Sequence, residues 1–258
     1  MRRIMASLLG ICAGCSLLTD LDGLAGSPTG SGVTTPEAGA LPIIEGGTRP
    51  AGDGAANEAG APGFLDLFDR PDGVVGNGWL ETIDGVFVLR SGRAVPFPGR
   101  WTKRILYRPS SEDLLDVESS VEVVWDSVPP KDSDAALSVR VATTGAELTG
   151  YSVFVDNVDS LVLTRVVRSA ETELARGALR PGVVKDETYR FRLRAQGTSP
   201  VQLEATFERR SGDDWEKLVS LRETDEGDGR LTSPGSVALT SDVNASYGYD
   251  TFTRSAIP

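Results

Sequence analysis

The chain has 258 residues, 40% hydrophobic and 24% charged, with a formal charge of −11 at pH 7, no histidine and two cysteines. An acidic chain repels nucleic acid and anionic headgroups, which sets polyanion binding aside unless its arginines are gathered on one face. The lack of histidine removes Ser-His-Asp and Cys-His catalysis and His-ligated zinc, copper or iron, leaving carboxylate chemistry and hard cations held by oxygen.

Met1-Arg2-Arg3, an apolar run from Ile4 to Ala13 and the small pair Ala13-Gly14 before Cys15 match the three regions of a secretory signal. An apolar run of about ten residues is too short to span a bilayer as a helix. Ala13-Gly14-Cys15 resembles the bacterial lipobox, although that family favours Leu where this chain has Cys12. The resemblance implies a signal peptide over residues 1–14, acylation of Cys15 and a membrane partner reached through the lipid anchor. Cys12 is less suited to that role, because the β-branched Ile11 precedes it. Ser16 follows the cysteine, and by analogy with enteric sorting, in which Asp there causes inner-membrane retention, it implies an outer-membrane lipoprotein of the cell envelope.

Residues 15–62 are expected to be the lipidated N-terminus and a Gly/Pro/Ala-rich linker. Runs such as Gly26-Ser27-Pro28-Thr29-Gly30 have no period and bury little apolar surface, so they predict a disordered tether spanning about 35 Å root-mean-square. Both cysteines fall before it, which leaves the rest of the chain to be held by packing without disulfides.

From Phe64 onward short alternating runs are broken by Gly, Pro, Asp and Ser, with no helical stripe. The pattern predicts an all-β, two-sheet antiparallel sandwich over residues 63–258. Strands are expected at 85–90, 103–108, 117–126, 136–143, 151–156, 161–167, 188–196, 201–209, 215–221, 236–240 and 249–254. In the third, alternation puts Asp116, Glu118, Glu122 and Asp126 on one face and Val121, Val123 and Trp125 on the other. Residues two apart on a strand are roughly 6.5–7 Å apart, near the carboxylate spacing of glycosidases. Asp116, Glu118 and Glu122 are therefore the candidate catalytic carboxylates; the alternative is a solvated acidic face.

In the strand at 151–156 alternation puts Phe154 on the polar face, where an aromatic ring can serve as a stacking platform for a sugar. Arg140 and Asp156 are its candidate binding neighbours. The structural alternative is that a loop or the second sheet covers Phe154. In the hairpin formed by 188–196 and 201–209, Tyr189, Phe191, Leu193, Leu203, Ala205 and Phe207 share one face. A register centred near Thr198 sets Arg192 opposite Glu204, Arg194 opposite Gln202, and Arg190 opposite Thr206 and diagonal to Glu208. Such pairing predicts arginines neutralised across the strands; the alternative is that they grip an anionic ligand.

Phe68-Asp69-Arg70-Pro71-Asp72-Gly73 with Gly76-Asn77-Gly78-Trp79, and Pro234-Gly235-Ser236-Val237-Ala238-Leu239 with Tyr247-Gly248-Tyr249-Asp250-Thr251-Phe252, bracket the predicted sandwich. These stretches resemble the opening and closing strands of concanavalin A-like, laminin G-like jelly-roll domains. The resemblance implies that the first and last strands pair, and that Asp66, Asp69 and Asp250 are candidate ligands for Ca2+. Laminarinase-type enzymes of that superfamily carry Glu-x-Asp-x-(x)-Glu on one strand, whereas this chain has Asp-x-Glu-x-Ser-x-Glu. The expected function is a non-catalytic carbohydrate- or surface-binding module with a polysaccharide partner. The alternatives are a glycoside hydrolase using a carboxylate pair and a structural envelope protein without a ligand.

Overall fold

The computed structural model describes residues 63–83, 85–97, 103–109, 113–127, 135–241 and 246–258. The expected signal peptide, Cys15 and the linker lie outside the described residues. Among the described residues there are fifteen strands and no helix. They are β1 (Phe64–Asp66), β2 (Leu80–Glu81), β3 (Phe87–Arg90), β4 (Arg93–Pro96), β5 (Arg104–Arg108), β6 (Val117–Trp125), β7 (Ala135–Thr144) and β8 (Glu147–Asp156). After them come β9 (Ser160–Val167), β10 (Ala170–Ala178), β11 (Thr188–Gln196), β12 (Val201–Ser211), β13 (Asp214–Asp225), β14 (Ser236–Ser241) and β15 (Tyr247–Ala256).

Eight strands form one sheet in the order β13-β12-β11-β6-β15-β4-β3, with β1 also paired to β15. Seven form the other, in the order β10-β9-β8-β7-β14-β5-β2. Every pairing is antiparallel, so the chain folds as the two-sheet jelly-roll sandwich that its alternation predicts. First and last strands pair as expected, with Leu65 opposite Thr253.

The core lies between the sheets and follows the period of two. On β6 Val117, Val121, Val123 and Trp125 are buried inward, and Tyr189, Phe191, Leu193 and Ala195 of β11 share that side. Trp125 anchors it, with the rings of Tyr189, Phe191 and Phe207 edge-on at 5.5, 6.4 and 6.2 Å. Edge-to-face contacts of this kind add about 0.5–1.5 kcal/mol each beyond the area they bury.

Two features depart from the sequence-based expectation. The β11–β12 hairpin is centred at residue 199, not 198, because Gln196 pairs with Gln202 across a longer turn. Each arginine therefore moves two places along its partner: Arg190 faces Glu208, Arg192 faces Thr206 and Arg194 faces Glu204. The strands β2, β4 and β10 lie outside the expected ranges, and β1 is expected only through the pairing that the resemblance implies. β10 is rich in Ala, Glu and Leu, which favour helix in isolation; its pairing to β9 and packing on β13 override that preference.

The seven-stranded sheet is strongly curled. Its strands β5 and β10 are five steps apart, about 24 Å in a flat sheet. Yet Lys103, just before β5, reaches Glu171 of β10 with Nζ 2.6 Å from a carboxylate oxygen. The face of this sheet turned away from the core, the side on which Lys103 and Glu171 meet, carries a second apolar cluster of Ile105, Val141, Leu148, Val166 and Ala238.

Candidate functional site

The outer side of the eight-stranded sheet presents polar residues in rows across β6, β11, β12 and β13. One row reads Glu122, Arg190, Glu208, Lys217, and another reads Glu118, Arg194, Glu204, Arg222. Between them lie Ser120, Arg192, Thr206 and Ser220. Alternation of charge from strand to strand lets each carboxylate find a cation beside it, which favours this register.

Two adjoining depressions run over these rows. One, of about 230 Å³, is lined by Glu118, Arg192, Arg194, Glu204, Thr206, Glu208 and Lys217. The other, of about 310 Å³, is lined by Arg194, Gln196, Gln202, Glu204, Arg222, Glu223 and Thr224. Arg194 and Glu204 belong to both, so together they form one polar groove.

Every carboxylate in the first depression has an arginine partner. Glu118 accepts from Arg192, Glu204 from Arg222 at 3.0 Å, and Glu208 from Arg190 at 2.6 Å. On the same face the ring of Trp215 meets both Arg190 and Arg210, whose guanidinium carbons are 4.2 and 5.0 Å from its centroid. Arg210 also donates to Glu122 at 3.2 Å. Burial holds the Glu122 carboxyl above the ordinary carboxylate range; Arg210 and Arg190 oppose the shift and the Asp250 carboxylate reinforces it.

Of the candidate catalytic carboxylates, Glu118 and Glu122 share this face but do not form a pair. Glu118 and Glu122 are four residues apart on β6, about 13 Å, beyond the roughly 5–9.5 Å of glycosidase pairs. Asp116, before β6, accepts the Gly197 amide at 2.8 Å and lies 3.5 Å from the Arg140 guanidinium.

Phe154 and Asp156 are neighbours on the outer side of the seven-stranded sheet, and Phe154 is half-buried between Ala136 and Val162. Arg140 does not join them. A bulge in β7 gives Arg140 a φ of 52° and turns its side chain inward, where it is fully buried. There it donates to the carbonyls of Leu115, Gly197 and Leu231, each at 2.7 Å. Gly235 packs against this bulge so closely that a Cβ would sit 2.5 Å from the Arg140 carbonyl carbon. Arg140 is thus a structural clip, and the arginine that reaches Asp156, at 2.6 Å, is Arg176 of β10.

Asp66, Asp69 and Asp250 do not converge on a cation. Asp66 faces inward opposite Phe252, and its oxygens accept from the Phe68 amide, Arg70, Asn77 and the Trp79 indole at 2.7–3.2 Å. Burial alone would raise its pKa, but these donors, Arg70 foremost, outweigh burial and hold the carboxyl below its ordinary value. Asp69 is exposed. An irregularity between Asp250 and Phe252 reverses the parity of β15, so Asp250 sits opposite Glu122 on the outer side. Calcium wants six to eight oxygens. Among the described residues no group of three or more His, Cys, Asp or Glu is placed to hold a metal.

No protein-family model matches the chain, and no curated protein matches it. Among solved structures it is similar to the exoplasmic/lumenal domain of VIP36 in its Ca2+/Man2-bound form. That similarity has a TM-score of 0.51 and 13% identity, over 76% of this chain and 87% of that one. The carbohydrate-binding module CBM66 from Bacillus subtilis aligns with a TM-score of 0.49 and 15% identity, over 69% of this chain and 96% of that one. The GH43 protein BlXynB from Bacillus licheniformis aligns at 0.49 and 12% identity, over 75% of this chain but 39% of that one. At these identities the likeness is one of fold.

Proposed function

We propose that this is a lipid-anchored cell-envelope protein whose sandwich serves as a non-catalytic carbohydrate-binding module. The observation that supports the reading is the polar groove on the eight-stranded sheet. Its walls offer guanidinium, carboxylate, amide and hydroxyl groups along an extended path, the mixture of donors and acceptors that sugar hydroxyls require. Carboxylates held by arginine in this way act as fixed acceptors for hydroxyl groups rather than as proton carriers. The VIP36 domain, seen with Ca2+ and Man2, indicates only that a sandwich of this shape can present a saccharide.

A glycan array probed with the full-length protein in neutral detergent is expected to retain oligosaccharides. The double variant Gln196→Ala/Gln202→Ala removes two facing amides from an exposed stretch of the groove. It is expected to weaken retention about tenfold or more, two hydrogen bonds at about 1 kcal/mol each. An array on which nothing is retained would remove the reading.

Anchoring rests on the Cys15 segment and has its own test. Several acyl chains, at about 0.8 kcal/mol per buried methylene, hold a protein firmly at a bilayer. Cys15→Ala is expected to move the protein from the membrane fraction to the soluble fraction, and the unaltered chain to sediment with outer membranes. Membrane association that persists in the variant would end the lipoprotein proposal.

A further inference from the structure

From the charge inventory of the groove we infer that its ligand is an acidic glycan whose sugar carboxylates, as in a polyuronate, are read by Arg194 with Lys217. This rests on the groove being the carbohydrate site proposed above and names the class of sugar it takes. The protein as a whole is acidic, at −11, and would be expected to repel such a ligand. Along the groove that acidity is offset: Arg192, Arg194, Lys217 and Arg222 match Glu118, Glu204, Glu208 and Glu223, and Arg190 reaches in from outside.

Glu118, Glu204 and Glu208 are each held by an arginine, two of them by Arg190 and Arg222 reaching in from outside the first depression. Two cations are left over, against one carboxylate without an arginine partner among the described residues, Glu223 of the second depression, which accepts the Thr224 amide at 2.9 Å. Arg194 is half-buried, and its side-chain hydrogen bond is to a neutral group, the Gln196 amide oxygen at 2.9 Å. Lys217, on β13, is exposed and lines the first depression. Among the described residues neither has a carboxylate within ion-pairing distance.

The position of Arg194 adds to this. It is common to both depressions, so any ligand lying along the groove must cross it. A guanidinium is a planar fork of donors matched to a carboxylate, and it stays charged at every physiological pH. Gln196, Gln202, Thr206 and Thr224 flank it with neutral donors and acceptors suited to ring hydroxyls. The paired glutamates set the limit on ligand charge. They accept hydroxyl hydrogens but oppose a densely charged polymer, which favours one carboxylate per sugar over a multiply sulfated or phosphorylated chain.

The test titrates the full-length protein, in neutral detergent, with hexagalacturonate, its methyl ester and a neutral hexaglucan, and then with inorganic phosphate and sulfate. The free acid is expected to bind about tenfold or more tightly than the ester, with the preference shrinking as sodium chloride is raised. Arg194→Gln should bring the acid down to the affinity of the ester without moving the melting temperature, and Lys217→Gln should weaken the acid several-fold. Equal affinity for acid and ester, or a preference that survives Arg194→Gln, would overturn the inference. If the array retains only neutral glycans, the acidic-ligand inference falls and the carbohydrate reading stands; if it retains none, both fall. Arg194-dependent binding of phosphate or sulfate with no binding of hexagalacturonate would show a simple anion site and would also overturn it.

Discussion

Arg140→Met is expected to lower the unfolding free energy by about 3–5 kcal/mol and the thermal midpoint by roughly 10 °C. The guanidinium binds carbonyls from three segments that share no strand: Leu115 ahead of β6, Gly197 in the β11–β12 turn, and Leu231 ahead of β14. Methionine fills most of the volume, so the loss isolates the hydrogen bonds rather than a cavity. Three buried acceptors would be left without donors, each a cost of about 1–3 kcal/mol when nothing relaxes. Arg140→Lys should recover only part of the loss, since an ammonium lacks the fork that spans three carbonyls. Urea unfolding of the methionine variant that coincides with the unaltered protein would show that water replaces the clip.

Asp66→Asn should cost about 3 kcal/mol at neutral pH, because it leaves Arg70 facing a neutral amide and turns one acceptor into a donor. The same carboxylate predicts an acid sensitivity. Its folded pKa lies below the ordinary value of 3.8, so the stability it supplies is complete above the unfolded pKa and is lost as pH falls through the folded one. Stability should therefore drop below about pH 4, and the asparagine variant should show a shallower drop over that interval. Parallel profiles for the two proteins in denaturant melts between pH 2 and 6 would assign the acid sensitivity to other carboxylates. The local reason for the effect is the opening motif itself. Phe68, Arg70, Asn77 and Trp79 all converge on this one side chain, and Trp79 in turn packs edge-on to Phe252 at 5.0 Å.

The alternation of Tyr189, Phe191 and Leu193 with Arg190, Arg192 and Arg194 was legible from sequence because one side of the sheet is apolar and the other wet. So was the inward set on β6. Register was not legible, since either centre for the hairpin keeps the same residues inside and moves only the pairing of charges. The groove depends on that pairing: shifting it by two residues moves Arg194 from Gln202 to Glu204, and Arg190 from Thr206 to Glu208. Arg140 was misplaced for a related reason. A bulge adds one residue and swaps inside for outside, and no residue type in Val139-Arg140-Val141 announces it. The Asp250 irregularity escaped in the same way.

The position of β15 has a consequence for the order of folding. It is the last strand of the sandwich to be made, yet it lies between β6 and β4 in the middle of the eight-stranded sheet and also receives β1. Until Tyr247–Ala256 is available, β6 and β4 each keep an unpaired edge and that sheet cannot join its halves. Closure therefore waits on contacts between the most sequence-distant parts of the fold, which places the protein among slow folders, in the millisecond to second range or beyond. A chain held short of this strand would offer two open strand edges to its neighbours, so crowding during synthesis should favour aggregation over an orderly pause.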